Sequence, residues 1–265
     1  MDMKPLWILI LLLSSTTCLA GTRDPSVPDS KYLEYGKKHQ CVLRIAGIYG
    51  DKLNTQFKGS CVLIDKYHIL TAAHIVSGSI TQHVLFEGKA YPCAIVAIHS
   101  QYDPEKMGTC DIAIARLQKP IEIDFYPELY KTKDEVGKIC SLAGYGFTGT
   151  FTTGYTLKNY DNKRRAGSNF VDKIHKNTLS YSVDKGQDTS LEFLISPGDS
   201  GGGLFIDKKL AGIHSCVYGT DKAADSDYGD VGCSTRVSDY IEWIEKTKEI
   251  IKLIMEDIDV LSKKK

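Results

Sequence analysis

The sequence predicts an all-β fold ending in one C-terminal α-helix, and three observations carry that expectation. From Cys41 onward, short β-rich runs alternate with turns: "CVLRIAGIY", "SCVLI", "HILTAAHIV", "HVLFEG", "CAIVAIH" and "DIAIARL". Many short strands with turn signals between them argue for a sandwich or barrel rather than βαβ units. A second β-rich series, "ICSLAGYG", "LEFLI", "GGLFI", "KLAGIHSCVY" and "CSTRV", follows a stretch from Lys119 to Lys138. That stretch holds two prolines and many charges, and reads as a linker crossing between two halves. The tail then changes period. Val237, Ile241, Ile244, Ile251, Ile254, Ile258 and Leu261 recur at helical spacing, which predicts a helix over 237–262 about 39 Å long. Its first half is expected to pack on the body, and its later half to continue that packing, the alternative being a partner or a membrane surface.

Taken in order, the chain opens with Lys4, the apolar run "LWILILLL" (6–13), a polar "SSTT" and "CLA". A charged start, a short apolar core and small residues before a cut read as a signal peptide over 1–20, removed after Ala20. The apolar run is too short to span a bilayer, so no stable membrane insertion is expected. The mature chain would be secreted or periplasmic; a lipid anchor on Cys18 is the weaker reading. Residues 21–40 are polar with two prolines and read as an arm. The first β unit is expected over 41–125 and the second over 126–236. Between Phe147 and Ser190 a Gly/Thr/Lys-rich segment contains "NKRRAG", and a charged run of that kind reads as a solvated loop.

Composition excludes some functions. The chain has 265 residues, 42% hydrophobic, enough for a substantial core. Lys+Arg and Asp+Glu both number 33, so no net charge draws the chain to nucleic acid. Loss of Cys18 would leave seven cysteines, none in a C-x-x-C pair. A metal or redox site therefore lacks support, and no cofactor is implied. In an exported protein most cysteines would be bridged. Seven is odd, so at least one is free or pairs outside the chain.

Residues 196–203 read "SPGDSGGG", an acid, a hydroxyl and four glycines between apolar neighbours. Such glycine density marks a tight turn or a backbone that approaches another molecule closely. A serine nucleophile flanked by backbone N–H groups aimed at a developing negative charge fits this pattern. A seryl hydroxyl needs a base to take its proton. His74, in "LTAAHIV", stands at the end of an apolar strand behind small residues. A catalytic imidazole also needs a carboxylate to hold its tautomer, and Asp111 opens the apolar run "DIAIARL".

"TAAH" (71–74), "DIA" (111–113) and "GDSGG" (198–202), in that order, resemble the His, Asp and Ser boxes of the trypsin/chymotrypsin family of serine proteases. "GSCVLIDKYHILTAAH", "GYG" (144–146), "AGIHS" (211–215) and "GCSTRVSDYIEWI" (232–244) extend the likeness from about Gln40 to Lys246. The resemblance implies two six-stranded antiparallel β-barrels with the site in the cleft between them. It implies a catalytic triad of His74, Asp111 and Ser200, and an oxyanion hole from the N–H groups of Gly198 and Ser200. Ser215 would support the site and align substrate backbone. The implied activity is a secreted serine endopeptidase acting on proteins or peptides through an acyl-enzyme; no oligomeric state is implied. The alternative is a protease-fold binding protein that has lost catalysis.

Three departures from the family pattern bear on function. Tryptic members carry an Asp where this chain has Leu194, so cleavage after Lys or Arg is disfavoured. His214 matches a position at which glutamate-specific relatives meet the substrate carboxylate, and Val217 replaces a glycine and narrows the pocket. Acidic and small aliphatic substrate residues therefore compete, with a lean to acidic. No activating cut site is evident, so Asp199, the acid beside the nucleophile, needs another counter-charge: Arg23, Lys31, His39 or a new terminus at Gly21. Activity without a separate activating cut is the expectation. Finally, Ile75 stands where the family has a cysteine, and the resemblance implies disulfides Cys216–Cys233 and Cys41–Cys61, leaving Cys93, Cys110 and Cys140 unassigned.

Overall fold

The computed structural model describes residues 21–158, 160–183, 189–221 and 223–262. The leader and Cys18 lie outside the described residues.

The arm over 21–40 carries two elements of its own, strand β1 (Gly21–Arg23) and helix α1 (Asp29–Lys37). The first half follows as β2 (Val42–Tyr49), β3 (Gln56–Leu63), β4 (His68–Thr71), the single-turn helix α2 (Ala73–Val76), β5 (Ser79–Phe86), β6 (Lys89–Ile98) and β7 (Ala113–Leu117). Hydrogen bonding closes it into a six-stranded barrel in the order β2-β3-β4-β7-β6-β5. Ile45, Leu63, Leu70 and Ile114 fill its interior and are fully buried. β3 shows why the sequence pattern changes along one strand. Its first residues alternate exposed and buried, whereas Gly59–Leu63 are buried without a break. There the strand runs beneath the second half, to which the Ser60 N–H bonds through the Ser200 carbonyl at 2.9 Å.

The second half comprises β8 (Ile139–Gly144), β9 (Thr148–Thr150), β10 (Gly154–Thr156), β11 (Arg165–Phe170), β12 (Lys173–His175), β13 (Thr178–Ser182), β14 (Phe193–Leu194), β15 (Gly203–Ile206), β16 (Lys209–Tyr218) and β17 (Val231–Arg236). Seven of these form one sheet in the order β11-β8-β15-β16-β17-β13-β12. A four-stranded sheet, β10-β9-β1-β14, completes the half. The arm thus supplies a strand: β1 runs antiparallel to β14 and parallel to β9. Among the described residues one ring of strands is closed, in the first half, and the arm adds a strand to the second.

Helix α1 packs on β11, with Tyr32 fully buried. This packing corrects the reading of "NKRRAG" as a solvated loop. Arg165 has no exposed side-chain surface. Its Nε and Nη2 donate to the two Asp29 carboxylate oxygens at 2.7 and 3.0 Å, and its Nη1 and Nη2 donate to Asp161 at 3.1 and 3.0 Å. Arg164 caps the arm by donating to the carbonyls of Gly36 and Val42, both at 2.8 Å. Two of its three basic residues therefore meet Asp29 and carbonyls brought from the other end of the chain, with Asp161 beside the run completing the cage.

A 3₁₀ turn (Val237–Asp239) leads into α3 (Ile241–Ser262). Ile244, Thr247 and Ile251 are buried, so its first half packs as expected. Past Ile251 the half-buried Met255 still touches the core, but Leu253, Ile254, Ile258 and Leu261 are all exposed. Among the described residues no helix is long and apolar enough to cross a membrane.

The cysteines divide. Cys216–Cys233 is bridged between β16 and β17. Cys41–Cys61 is not, and both thiols are buried and free. Register is the reason. Leu43 stands opposite Cys61, while the Cys41 carbonyl accepts the Leu63 N–H, so the two cysteines sit diagonally across the pair. Cys93, Cys110 and Cys140 are also free.

Candidate active site

β4 ends at Thr71, and the fully buried Ala72 and Ala73 turn the chain into α2, which places His74 at the cleft. The small side chains let that turn lie flat against the barrel. Asp111 lies just before β7, which pairs with β4. Its Oδ1 accepts the His74 backbone N–H at 2.9 Å, and its Oδ2 faces His74 Nδ1 at 2.7 Å. Ser215 Oγ donates to the same Oδ2 at 2.5 Å. Burial alone would raise the Asp111 carboxyl, but the bonds from His74 and Ser215 outweigh it and hold the group below its ordinary range. An ionised Asp111 requires the proton on Nδ1 and leaves Nε2 free as an acceptor. Ser215 reaches Asp111 from the second half because β16 is bulged against β17 between His214 and Cys216, and a bulge re-aims the extra residue.

The loop after β14 carries Ser200. Gly198 adopts φ +93°, a left-handed conformation that favours glycine. Gly201 has a second reason to be glycine: a Cβ there would lie 2.1 Å from the Ser60 carbonyl oxygen. The N–H groups of Gly198 and Ser200 have no partner among the described residues. Ser200 and His74 line one cleft of about 390 Å³ with Asp111 and Ser215. No hydrogen bond joins Ser200 Oγ to His74 among the described residues; such bonds are commonly long until substrate arrives.

Beside Ser200, Asp199 is fully buried. Its carboxylate accepts the N–H groups of Gly146 at 2.7 Å and Ser196 at 2.9 Å, and the Ser196 hydroxyl at 3.2 Å. Burial pushes its pKa up to about 6 against those bonds.

Two expected pocket residues are placed elsewhere. Leu194 is fully buried in β14, paired with Thr22 of the arm. His214 is also fully buried; its Nδ1 pairs with Ser234 Oγ at 3.0 Å and lies 3.4 Å from the Tyr181 hydroxyl. Burial lowers its pKa to about 3, so the ring is neutral. Alternation along β16 explains its position: Ser215 faces the cleft, and its neighbour faces the interior. Val217 does line the cleft, with Ile195, Pro197, Cys216 and Ala224. Sequence reasoning missed Ser60, which reaches the Gly198 carbonyl across 138 positions, and Tyr181 and Ser234, which hold the buried His214 across 33 and 20. Asp225, Asp227 and Asp230 bring carboxylates within 4.8 Å of one another, but Asp230 already accepts the Thr220 and Ser226 N–H groups.

A β-barrel joined to a second β half, with a carboxylate–imidazole pair from one and a glycine-held serine from the other, defines the serine protease fold class. The trypsin family model matches residues 48–244, and the chain belongs to that family. A chymotrypsin of Phaedon cochleariae is 28% identical over 208 residues, covering 71% of each chain. Two solved structures share the fold. Neuropsin, a serine protease expressed in the limbic system of mouse brain, matches with a TM-score of 0.62 and 20% identity over 80% of this chain and 96% of its own. HL collagenase matches with a TM-score of 0.64 and 18% identity over 87% and 98%.

Proposed function

We propose that the chain is an endopeptidase that hydrolyses protein or peptide substrates through an acyl-enzyme on Ser200. His74 Nε2 takes the hydroxyl proton as Oγ attacks the scissile carbonyl, then delivers it to the leaving amine. Water repeats the cycle to release the acid. Asp111 keeps the ring in the required tautomer and stabilises the imidazolium. The N–H groups of Gly198 and Ser200 receive the oxyanion, and one such donor is worth about 3 kcal/mol in the transition state. The observation that carries this reading is the pair of unpartnered N–H groups beside an Asp111–His74 pair already in register.

The cleft lining supports small aliphatic residues before the scissile bond. Ile195, Val217 and Ala224 are apolar walls, and no carboxylate stands at Leu194 to meet Lys or Arg. The lean to acidic residues rested on His214 facing substrate; the ring is fully buried and is not among the residues lining the cleft.

The bridged Cys216–Cys233 supports an oxidising compartment, reached after removal of residues 1–20. Of the candidate counter-charges for Asp199, Arg23 donates to the Val27 carbonyl and pairs with Asp29. Lys31 is exposed on α1. His39 is buried, and burial lowers its pKa to about 4, so it carries no charge at neutral pH. Of those four the amino terminus at Gly21 is left, in buried β1 and in register with Thr148, while the Arg165 guanidinium adds a weak attraction that lowers the Asp199 pKa. Leader removal is then the only cut required.

The test is labelling of the exported chain by a fluorophosphonate, without added protease, beside Ser200→Ala. Labelling is expected and should vanish in the variant, with turnover down on the order of 10⁶. A folded chain beginning at Gly21 that resists the probe would favour the binding-protein alternative. A peptide library then reads specificity, and preferred cleavage after Glu would overturn the small-residue reading.

A further inference from the structure

Four carbonyls of the nucleophile loop are held by partners. Pro197 C=O accepts the Phe147 N–H at 2.8 Å, and Asp199 C=O accepts the Gly202 N–H at 2.8 Å. In a planar trans peptide the N–H points opposite the carbonyl, so these two bonds aim the Gly198 and Ser200 N–H groups the other way. The remaining two carbonyls share one partner from the opposite half. Ser60 Oγ donates to Gly198 C=O at 2.9 Å, and the Ser60 N–H donates to Ser200 C=O at 2.9 Å.

The Ser60 hydroxyl has one proton, and its direction is fixed. Oγ also accepts the Tyr145 N–H at 3.0 Å, so its own proton goes to Gly198. Tyr145 directly precedes Gly146, whose N–H holds Asp199. Ser60 is fully buried, so no solvent replaces its hydroxyl without rearrangement. The peptide it grips lies between the two free N–H donors, at a glycine with no Cβ to resist rotation.

We propose that Ser60 is a positioning residue for catalysis: its hydroxyl, reaching from the first barrel, locks the Gly198–Asp199 peptide so that both oxyanion donors stay aimed at one point. This inference rests on the endopeptidase reading of Ser200. It assigns the first barrel a second task besides carrying His74 and Asp111.

The experiment compares Ser60→Ala, Ser60→Gly and Ser60→Thr with the unaltered chain. Steady-state hydrolysis of one peptide substrate, the rate of fluorophosphonate labelling and affinity for a peptide boronate are measured. A lost oxyanion donor costs about 10²–10³ in kcat; loosening both without removing either should lower kcat about 10-fold in the alanine and glycine variants. KM should change less than two-fold, the boronate should bind more weakly, and threonine should restore most of kcat. Should the alanine variant fail to melt cooperatively, the glycine variant, which adds no volume, carries the test. An alanine or glycine variant within two-fold of the unaltered kcat overturns the proposal, as does a loss confined to KM. An unaltered chain that resists labelling overturns the endopeptidase reading and this inference with it.

Discussion

In the first barrel each strand has two hydrogen-bonded neighbours, and Cys41, Cys61 and Cys93 stay unbridged. In the second half β11 and β12 are edges of the seven-stranded sheet, and the half is held by other devices. A strand and a helix come from the arm, Arg165 is buried between two carboxylates, and Cys216 is bridged to Cys233. The difference follows from what each half carries. The barrel holds His74 and Asp111 on and beside regular strands, where closure gives rigidity. The second half holds Ser200 on a glycine-rich loop, whose backbone must be fixed from outside.

The largest expected stability effect tests that dependence. Arg165→Met leaves Asp29 and Asp161 facing each other without their shared cation. Removing one partner of a buried ion pair costs about 3–5 kcal/mol. Arg116→Met is the matching change in the barrel: Arg116 stacks on Tyr67 at 4.7 Å and donates to the Leu117 carbonyl. That loss should stay near 1 kcal/mol. Urea unfolding of both variants decides, and equal losses would mean that the arm clamp does not hold the second half.

The disulfide comes next. Replacing Cys216 and Cys233 together by alanine should cost about 2–4 kcal/mol. The barrel should need no such crosslink. Thiol titration in denaturant without reductant should find Cys41, Cys61, Cys93, Cys110 and Cys140 reactive. Peptide mapping that recovered a Cys41–Cys61 bridge would erase the contrast.

The site was legible in the sequence where its chemistry sits in compact local boxes. His74, Asp111 and Ser200 each lie in a few residues of distinctive neighbours, and the structure brings all three to one cleft. What stayed hidden depends on register or on distant partners. Cys41 and Cys61 share a hairpin, but the pairing offset that keeps them apart is set by how β2 meets β3. Arg165 looked solvated because its partner Asp29 lies 136 residues away. His214 and Ser215 are adjacent, yet the bulge and strand alternation send one to the interior and the other to Asp111. The polar arm gave no sign of a strand, since β1 takes its conformation from β9 and β14 rather than from its own three residues.

The smallest effect concerns the join between arm and body, where His39 packs against Tyr35 of α1 and Phe205 of β15. Its Nδ1 lies 3.2 Å from the Tyr35 carbonyl. Burial lowers its pKa to about 4, helped by the nearby cations Arg164 and Lys38. The unfolded chain takes a proton at this imidazole near pH 6.5, while the folded chain waits until about pH 4. Protons therefore favour the unfolded chain between those values: the stabilisation is full above about pH 6.5 and lost as pH falls toward 4. Between pH 6.5 and 5 the loss from this group is about 1.6 kcal/mol. His214 acts in the same direction, its pKa lowered to about 3, while Asp199, raised to about 6, acts against both. The whole protein's pH dependence mixes all three, so the measurement is a difference. His39→Phe keeps the ring stack and removes the titrating group; urea unfolding at pH 6.5 and 5 should show it losing about 1.6 kcal/mol less than the unaltered chain. If both lose the same amount, His39 titrates as an exposed histidine and the arm does not seal over it.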